Sequence, residues 1–572
     1  MPIHGVSALQ TNQNQEYTMQ LNGAQLIVRL LEQQGITRIA GIPGGAALPL
    51  YDALSQSTKI HHVLARHEQG AGFMAQGMAR VSGKAAVCIA SSGPGATNLV
   101  TAIADAKLDS IPLVCITGQV PSSMIGTDAF QEVDTYGISI PITKHNWLVR
   151  DVWDLLEVIP DAFRLAESGR PGPVWVDVPK DVLTAVIELE ALPEPARRDP
   201  LPLVEAALVE RAAGLINAAR TPVLYLGGGV IAAEACTAAV ALAERAGLPT
   251  TMTLMGLGAM PVDHELSLGM LGMHGARYTN YALEEADLLI VLGARFDDRA
   301  IGNAEKFCPN AGIIHIDIDP AELGKIKRPN VAIHGDVARV LEQLSTKVLS
   351  NPRREWVARV NELKRAHPLA LPGVEDPRSH YGLVRAVADL LDDEAVIATD
   401  VGQHQMWVAQ AYPFRRARQW LTSGGLGTMG FGMPAAIGAA LEQPERTVVC
   451  FSGDGSLKMN IQEMDTAVEE WANIKVVLMN NQSLGLVHQQ QDLFYGKRIF
   501  SADYRRHTNF QKIAEGFGMQ VFDLDQTEDP RALLAQALKT PGPCLIHCSI
   551  DVNQKVFPMV PPGAANTEMI GG

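Results

Sequence analysis

The chain has few aromatic residues, few cysteines and no excess of positive charge. Aromatic residues make up 5% of its 572 residues, and its formal net charge is −15. Such an acidic chain lacks the basic face that binds nucleic acid, so we expect no nucleic-acid partner. The seven cysteines are an odd number without metal-site spacing, which favours reduced thiols in a cytoplasmic protein.

Long apolar runs are missing as well. No run reaches membrane-spanning length, and the first twenty residues have neither an apolar signal core nor the arginine-rich composition of a transit peptide. We therefore expect a soluble protein without a membrane partner, in which residues 1–18 form a loose arm. The hydrophobic content of 47% and charged content of 19% are typical of a globular enzyme.

Strand and helix patterns alternate along the chain, and proline-rich segments at 192–202 and 366–377 interrupt them. This alternation predicts doubly wound α/β domains with mostly parallel sheets. We predict three domains, at residues 1–190, 203–350 and 375–563. Helices are predicted at 20–34, 69–81 and 433–441, and from about residue 97. The predicted strands cover 39–42, 60–64, 85–90, 113–117, 174–178, 223–226, 288–292, 313–318, 395–398, 447–451, 475–479 and 544–549.

Polar residues follow two of these strands in the third predicted domain. Gly453-Asp454-Gly455 comes after the strand at 447–451, and Asn480-Asn481 after the strand at 475–479. Ligands of open α/β sheets bind beyond the carboxyl ends of the strands, and a hard cation that carries a diphosphate prefers oxygen ligands. Gly-Asp-Gly alone also fits a plain strand–turn–helix, but the asparagine pair favours a metal site. The combination resembles the signature of thiamin-diphosphate (ThDP) enzymes.

Glu68 ends a strand and opens a helix of small residues. In isolation, a glutamate that favours the helix macrodipole is the simpler interpretation. ThDP, however, needs a carboxylate on N1′ of its aminopyrimidine to favour the imino tautomer, whose 4′-nitrogen takes the proton from the thiazolium carbon. The segment 66–68 matches the family glutamate. Met429, inside the glycine-rich segment 423–432, is interpreted as a wedge between the two cofactor rings, with a tight core loop as the alternative.

From about residue 20 to 563 the chain resembles the large, catalytic subunits of bacterial acetohydroxyacid synthases, which are ThDP enzymes containing FAD. Besides the motifs above, matching segments occur in one order along the chain. They are 41–45, 66–70, 118–121, 126–132, 169–173, 177–181, 272–275, 295–299 and 493–497.

The resemblance implies roles at the matching positions. Mg²⁺ would be bound by the side chains of Asp454 and Asn481 and by the carbonyl of Ser483. The residues that would hold the diphosphate are Gly402, Gln403, His404, Gly453, Gly455 and Ser456. The residues expected at the reacting centre are Glu68, Gly45 (through its N–H), Gln131, Phe130 and Lys180, of which Lys180 could equally be a surface lysine.

The middle domain lacks the GxGxxG fingerprint, so its residues support only a generic nucleotide site. The resemblance makes that nucleotide FAD, in a structural role. The implied FAD residues are Arg170, Gly227, Gly228, His274, Gly293, Arg295, Asp297, Arg299, Asp317, Ile318 and Asp336.

Gln490 departs from the family, most members of which have tryptophan there. A large apolar face rewards one extra methylene by about 1 kcal/mol or more. We therefore predict weak preference for 2-ketobutyrate over pyruvate as the second substrate.

The implied function is that of an acetohydroxyacid synthase, the first common step of branched-chain amino-acid biosynthesis. Pyruvate is decarboxylated and joined to a second 2-keto acid. Glu68 and Asp454 would meet across the interface of a homodimer, and a small regulatory subunit is expected. Pyruvate oxidase, which turns over its flavin, and glyoxylate carboligase, which lacks the glutamate, are alternatives within the class. A silent nucleotide-binding homologue is the alternative outside it, and the intact Glu68, Asp454 and Asn481 disfavour that.

Overall fold

The computed structural model describes residues 18–571 and contains three six-stranded sheets. Every strand pairing within these three sheets is parallel. The prediction of three doubly wound α/β units is thus confirmed. Except for residue 18, the arm predicted at residues 1–18 lies outside the described residues. Within residues 18–571, every helix is too short or too polar to cross a bilayer.

The first domain contains β1 to β8 and α1 to α7. In chain order, these are β1 (Met19–Asn22), α1 (Gly23–Gln33), β2 (Arg38–Gly41), α2 (Leu48–Ser55), β3 (His61–Leu64), α3 (Glu68–Ser82), β4 (Ala86–Ala90), α4 (Pro94–Asp109), β5 (Leu113–Gln119), α5 (Thr135–Ser139), β6 (His145–Leu148), α6 (Leu155–Glu167), β7 (Pro173–Pro179), α7 (Lys180–Thr184) and β8 (Val186–Leu189). The main sheet has the order β3-β2-β4-β5-β7-β6, and β1 pairs with β8 in a separate antiparallel ribbon.

The middle domain contains β9 to β14 and α8 to α14. These are α8 (Ala206–Ala218), β9 (Pro222–Leu226), α9 (Gly228–Ala232), α10 (Cys236–Ala246), β10 (Thr250–Met252), β11 (Ser267–Met270), α11 (Arg277–Glu284), β12 (Leu288–Leu292), α12 (Asp298–Ile301), β13 (Gly312–Asp317), β14 (Val331–His334), α13 (Val337–Ser345) and α14 (Arg354–Ala366). Its strand order is β11-β10-β9-β12-β13-β14, the doubly wound order that binds dinucleotides in other proteins.

The third domain contains β15 to β20 and α15 to α22. These are α15 (His380–Leu390), β15 (Val396–Thr399), α16 (Gln403–Ala411), β16 (Trp420–Leu421), α17 (Gly432–Glu442), β17 (Val448–Gly453), α18 (Asp454–Leu457), α19 (Glu463–Glu469), β18 (Ile474–Asn480), α20 (Gly485–Phe494), α21 (Phe510–Phe517), β19 (Gln520–Asp523), α22 (Pro530–Lys539) and β20 (Cys544–Ser549). Its order, β16-β15-β17-β18-β20-β19, repeats that of the first domain.

The strand order fixes where a ligand can bind. In the sheets of the first and third domains, the second strand in sequence lies on one side of the first strand and the third strand lies on the other. This reversal opens a crevice between β2 and β4 and between β15 and β17. In the middle sheet the same reversal lies between β9 and β12. Ligands of open α/β sheets bind at such switch points, beyond the carboxyl ends of the strands.

Glycines join the first and third domains. A Cβ added at Gly77 in α3 would collide with the carbonyl oxygen of Ala435 in α17, and one added at Gly438 in α17 would collide with that of Met74 in α3. The two backbones can therefore approach this closely only without side chains at these positions. The small residues that follow Glu68 in the predicted helix at 69–81 permit this crossing.

The structure differs from the sequence patterns mainly at element ends and sheet edges. The helix predicted from residue 20 begins at Gly23, because the Asn22 side chain accepts the Gln25 N–H at 2.8 Å and caps it. The helix predicted from about residue 97 begins at Pro94, a residue that a first turn tolerates. The patterns missed the ribbon strands β1 and β8, the three-residue internal strand β10 and the edge strands β6, β11, β14, β16 and β19. These strands are short and lack the continuous apolar run of a buried central strand.

Candidate active site

Asp454 lies at the switch point of the third domain, where β17 ends. Asp454 is 1% exposed, and within residues 18–571 its buried Oδ1 atom has no hydrogen-bond partner. Burial raises the pKa of this carboxyl to about 6, although nearby Lys458 acts in the opposite direction. A buried carboxylate oxygen without a partner is costly in an unliganded protein, so the site fits a cation.

The other predicted metal ligands follow the neighbouring strand β18. The Asn481 Nδ2 atom donates to Oε1 of Gln403 at 3.1 Å, and the Ser483 N–H donates to Oδ1 of Asn481 at 3.2 Å. β18, which Asn481 follows, pairs with β17 in a register that sets Met479 opposite Gly453, so Asp454 and Asn481 lie at adjacent strand ends. The structure thus brings Asp454 and Asn481 together, with Ser483 in contact with Asn481. A carboxylate, a carboxamide and a carbonyl are an oxygen set that suits Mg²⁺.

His404 lies between the two strand ends that border this crevice. Its Nε2 accepts the Gly453 N–H at 3.3 Å, and burial lowers the pKa of the imidazole to about 3, which keeps it neutral. A Cβ added at Gly402 or Gly453 would lie 2.8 Å from this ring. Glycine is therefore required on both sides of the crevice. The Ser456 Oγ joins the two sides by donating to the Val401 carbonyl at 2.7 Å.

The side chain of Gln403 is already used by the protein. Besides accepting from Asn481, it donates to Oε1 of Gln489 at 3.0 Å and to the Gln554 carbonyl at 2.8 Å. Gln403 therefore orients Asn481, a predicted metal ligand, and its contact with the diphosphate stays a prediction.

Met429 reaches the Gly-Asp-Gly turn. A Cβ added at Gly455 would lie 3.5 Å from Cε of Met429. Asp400 fixes the loop that carries Met429, because its Oδ1 accepts the Gly430 N–H at 2.8 Å. Burial raises the pKa of the Asp400 carboxyl to about 6. Sequence reasoning did not single out Asp400 as a site residue, although its place directly after β15 was a usable signal.

Glu68 begins α3 in the first domain and is half-buried. Its Oε2 accepts from Nδ2 of Asn98 at 2.9 Å, and a Cβ added at Gly95 would lie 3.4 Å from its Oε1. Among the described residues, Asn98 is the one side-chain hydrogen-bond partner of Glu68. Within one chain, therefore, the Glu68 side chain is not hydrogen-bonded to the third domain that carries Asp454. The sequence analysis missed Asn98, whose place in the first turns of the helix after a glycine-rich strand end was the available signal.

The remaining residues expected at the reacting centre are open to solvent or strained. A Cβ added at Gly45 would meet nothing within 4 Å, and Phe130 is 88% exposed. Gln131 has a φ of +61°, and its backbone lies against Gly93. Lys180 begins α7 and, within residues 18–571, its Nζ has no hydrogen-bond or ion-pair partner.

Gln490 lies exposed on α20. Its neighbour Gln489 is buried and contacts Gln403 and the Val556 carbonyl. The buried neighbour fixes the helix, while Gln490 itself points away from those contacts.

In the middle domain the predicted glycines lie at the switch point between β9 and β12. The Gly229 N–H donates to the Gly293 carbonyl at 2.9 Å, and a Cβ at Gly227 would collide with the same carbonyl. Gly228, half-buried beside them, faces Met255. Close contact between two strand ends therefore accounts for Gly227 and Gly293 without a ligand.

Several charged residues predicted to bind FAD have protein partners. Arg170 bonds to Asp319 at 3.1 Å and Glu322 at 2.8 Å, which ties the first domain to the middle one. Asp297 and Asp336 cap α12 and α13 through their side chains. These contacts are structural, and the FAD roles of the three residues stay predictions.

Other residues of this edge fit a nucleotide. Arg295 is half-buried, and its guanidinium has no side-chain partner among the described residues. Burial raises the pKa of the Asp317 carboxyl to about 6. Arg299 has a side chain that is 67% exposed. A free guanidinium and a buried carboxyl at one sheet edge can meet phosphate and hydroxyl groups.

The last two predicted FAD residues contact the protein through backbone carbonyls. Nδ1 of His274 lies 3.1 Å from the Pro558 carbonyl, and burial lowers the pKa of this histidine to about 4. The Ile318 carbonyl lies 3.1 Å from Nε2 of His334.

Comparisons with known proteins agree with this geometry. Residues 21–138, 209–344 and 400–548 match the N-terminal, central and C-terminal domain models of thiamine pyrophosphate enzymes. The chain is 66% identical over 549 residues to the acetolactate synthase isozyme 1 large subunit of Escherichia coli K12, covering 96% of this chain and 97% of that protein. It is 45% identical over 551 residues to the isozyme 2 large subunit of the same organism, covering 96% and 99%. It is 44% identical over 572 residues to a chloroplastic acetolactate synthase of Nicotiana tabacum, covering 96% and 84%. The chain belongs to the acetolactate synthase large subunits, a family of ThDP-dependent enzymes.

Proposed function

We propose that the chain decarboxylates pyruvate and joins the two-carbon product to a second 2-keto acid. A second pyruvate gives 2-acetolactate, and 2-ketobutyrate gives 2-aceto-2-hydroxybutyrate. The observation that carries the proposal is the buried, unpartnered Oδ1 of Asp454 at the third-domain switch point. Bound ThDP supplies a carbon nucleophile that stabilises the negative charge left by decarboxylation.

The third domain anchors the cofactor. Asp454, Asn481 and the Ser483 carbonyl would hold Mg²⁺, whose charge would offset the cost of the buried carboxylate. Gly402 and Gly453 leave the backbone of both strand ends open to the diphosphate. Neutral His404 adds no positive charge, so attraction for the diphosphate comes from the metal and from backbone N–H groups.

The first domain handles the proton. Glu68, oriented by Asn98, would hold a proton at N1′ of the pyrimidine of bound ThDP. Lys180, whose Nζ has no protein partner in the described part of the chain, attracts the carboxylate of the keto acid. The exposed Gly45 N–H can donate to an oxygen that develops negative charge. Phe130, Gln131 and Gln490 border the second substrate.

Two surfaces of the chain support further partners. Phe130 is 88% exposed, and among residues 18–571 the Glu68 side chain has no third-domain hydrogen bond, so a second copy of the chain completes each site in a homodimer. The relatives from Escherichia coli are called large subunits, which supports a small regulatory subunit as a second partner. FAD fits the middle domain, where the Arg295 guanidinium has no side-chain partner within residues 18–571 and the buried Asp317 carboxylate accepts the Asp319 N–H at 2.9 Å.

The test is product formation by the purified chain with ThDP, Mg²⁺, FAD and pyruvate, alone and with the small subunit. We expect acetolactate, lost on omission of ThDP or on chelation of Mg²⁺. Peroxide in place of acetolactate would identify a pyruvate oxidase. Absence of both products with all cofactors present would refute the proposal.

A further inference from the structure

Asp105 in α4 of the first domain contacts the third-domain loop that carries Met429. Its Oδ1 accepts a hydrogen bond from the Ser423 hydroxyl and another from Oγ1 of Thr428 at 3.0 Å. The Thr428 N–H also donates to the Ser423 hydroxyl at 2.8 Å. One oxygen of the first domain thus closes the loop immediately before Met429.

Asp109 holds the same loop one helical turn further along α4. Its carboxylate accepts the Gly424 N–H at 3.1 Å and the Gly425 N–H at 2.7 Å. A Cβ added at Gly425 would lie 2.8 Å from Cβ of Leu108, so glycine permits this approach. The two aspartates together bind two hydroxyls and two backbone N–H groups of the loop.

Arg80 compensates the charge of these aspartates. Its Nη2 lies 2.7 Å from Asp109 and 3.5 Å from Asp105, and the three side chains are 5%, 0% and 0% exposed respectively. Buried carboxylates are costly without partners, so these contacts are tightly held. The guanidinium also lies 4.9 Å from the ring centre of Phe431, two residues beyond Met429.

The other end of α4 holds Glu68. Asn98, which donates to Glu68 at 2.9 Å, precedes Asp105 by seven residues. Seven residues make about two helical turns, so both side chains lie on one face of α4, roughly 10 Å apart. A second connection joins the same neighbourhoods, because Nδ2 of Asn460 donates to the Gly430 carbonyl at 2.8 Å and to Oε1 of Gln69 at 3.3 Å.

We propose that Asp105 and Asp109 are positioning residues that fix the Met429 loop, so that α4 holds both Met429 and Glu68 in place. The inference rests on the proposed function, because the roles of Met429 and Glu68 belong to it. The contacts themselves do not depend on that function. In the proposed homodimer, one rigid helix would then hold the Met429 loop beside the cofactor of its own chain and the Glu68 that serves the cofactor of the partner subunit.

The first test concerns the protein without cofactors. Replacing Asp105→Ala should speed amide hydrogen exchange in residues 423–430, because two hydroxyl bonds of the loop are lost. Asp389→Asn is the matched control, since it removes an exposed carboxylate that pairs with Arg531 far from the loop. Unchanged exchange in 423–430 would overturn the proposal.

The second test concerns bound ThDP. Loss of a buried bond to a charged group should raise the Kd for ThDP about tenfold or more in Asp105→Ala. Deuterium exchange of the thiazolium C2 proton, followed by NMR after acid quenching, should slow although Glu68 is intact. Asp105→Asn keeps an acceptor oxygen and should restore part of both losses. A loosened loop with unchanged C2 exchange would show that Asp105 has only a structural role.

A variant that fails to fold does not end the test. Thr428→Val removes one donor and leaves the Ser423 bond to Asp105, and it should shift all three measurements in the same direction by smaller amounts. If the proposed function is wrong, the wild-type chain will bind ThDP but make no acetolactate, which differs from a failure of the positioning proposal. In that case the amide-exchange result for the loop still decides whether Asp105 holds it.

Discussion

The first and third domains share one strand order and use it for different chemistry. Both reverse direction beside their first strand, and in both a buried oxygen without a partner directly follows or ends the returning strand. In the first domain this atom is the Ser91 hydroxyl, after β4. In the third it is the Asp454 carboxylate, after β17. The Ser91 hydroxyl is neutral, whereas the Asp454 carboxylate can pair with a cation, as the proposed function requires. The fold supplies the crevice, and one side chain decides what enters it.

The largest expected effect tests the third-domain crevice. Asp454→Asn should lower acetolactate formation by about a thousandfold or more, because the metal loses its charged ligand. Without cofactors the same variant should unfold at a higher temperature than the wild type, since a buried unpaired carboxylate is replaced by a neutral amide. Thermal unfolding with and without Mg²⁺ and ThDP measures both. A variant that is still stabilised by these ligands would contradict the assignment.

The second test distinguishes the roles of the two crevices by comparing the rate of product formation with the Kd for ThDP. Glu68→Ala should lower the rate of product formation by about 10²–10⁴-fold, as expected on loss of general acid–base catalysis. The Kd for ThDP should change much less than in Asp454→Asn, because Glu68 does not anchor the diphosphate. Titration of ThDP into both variants makes the comparison. Equal loss of affinity in the two variants would erase the distinction between anchor and proton acceptor.

Gln490→Trp addresses substrate selectivity and should have a smaller effect. A large apolar face should raise the ratio of 2-aceto-2-hydroxybutyrate to acetolactate about tenfold when both keto acids compete. Gln490→Ala is the control, because it removes the amide without adding that face. An unchanged ratio in the tryptophan variant would remove Gln490 from the substrate site.

The smallest effect concerns pH and a buried carboxyl outside either crevice. Asp177 in β7 accepts from Oγ1 of Thr117 at 2.6 Å and from Nε2 of Gln119 at 2.9 Å, and burial raises its pKa to about 7. The unfolded chain loses this proton near its ordinary pKa of about 4, so the folded state binds more protons between those values. Through this group, stability falls as the pH rises from about 4 to 7.

Asp177→Asn should therefore gain stability relative to the wild type over this pH window. Urea unfolding of both proteins at several pH values measures the difference. Adding Mg²⁺ and ThDP should leave this slope in place, because Asp177 does not contact the cofactor crevice of the third domain. A constant difference across the window would mean that Asp177 stays ionised in the folded chain.

Sequence reasoning predicted those parts of the fold that depend on short, continuous patterns. Buried strands such as β12 and β20 are apolar runs, and their predicted bounds agree with the structure. Edge strands such as β16, with two residues, carry no such run and were missed. Their positions depend on pairing with a neighbour rather than on their own composition.

The candidate site divides in the same way. Asp454 and Asn481 were predictable because each directly follows a strand. Asp105 was not, because its partner Ser423 lies 318 residues away in sequence. For the middle-domain glycines, the sequence pattern was consistent with phosphate contacts. In the structure, Gly227 and Gly293 instead pack against each other. Sequence patterns report what a residue type permits, and tertiary contacts decide which of the permitted uses is taken.

The crossing of α3 and α17 has a consequence for how this chain can be recombined. Gly77 and Gly438 each face the backbone of the other helix, so neither helix accepts a larger residue at its crossing point. Exchange of the first domain between related enzymes should yield a folded chimera only when both helices carry small residues at the crossing. The two helices then behave as a single inherited unit, although about 350 residues separate them in the chain.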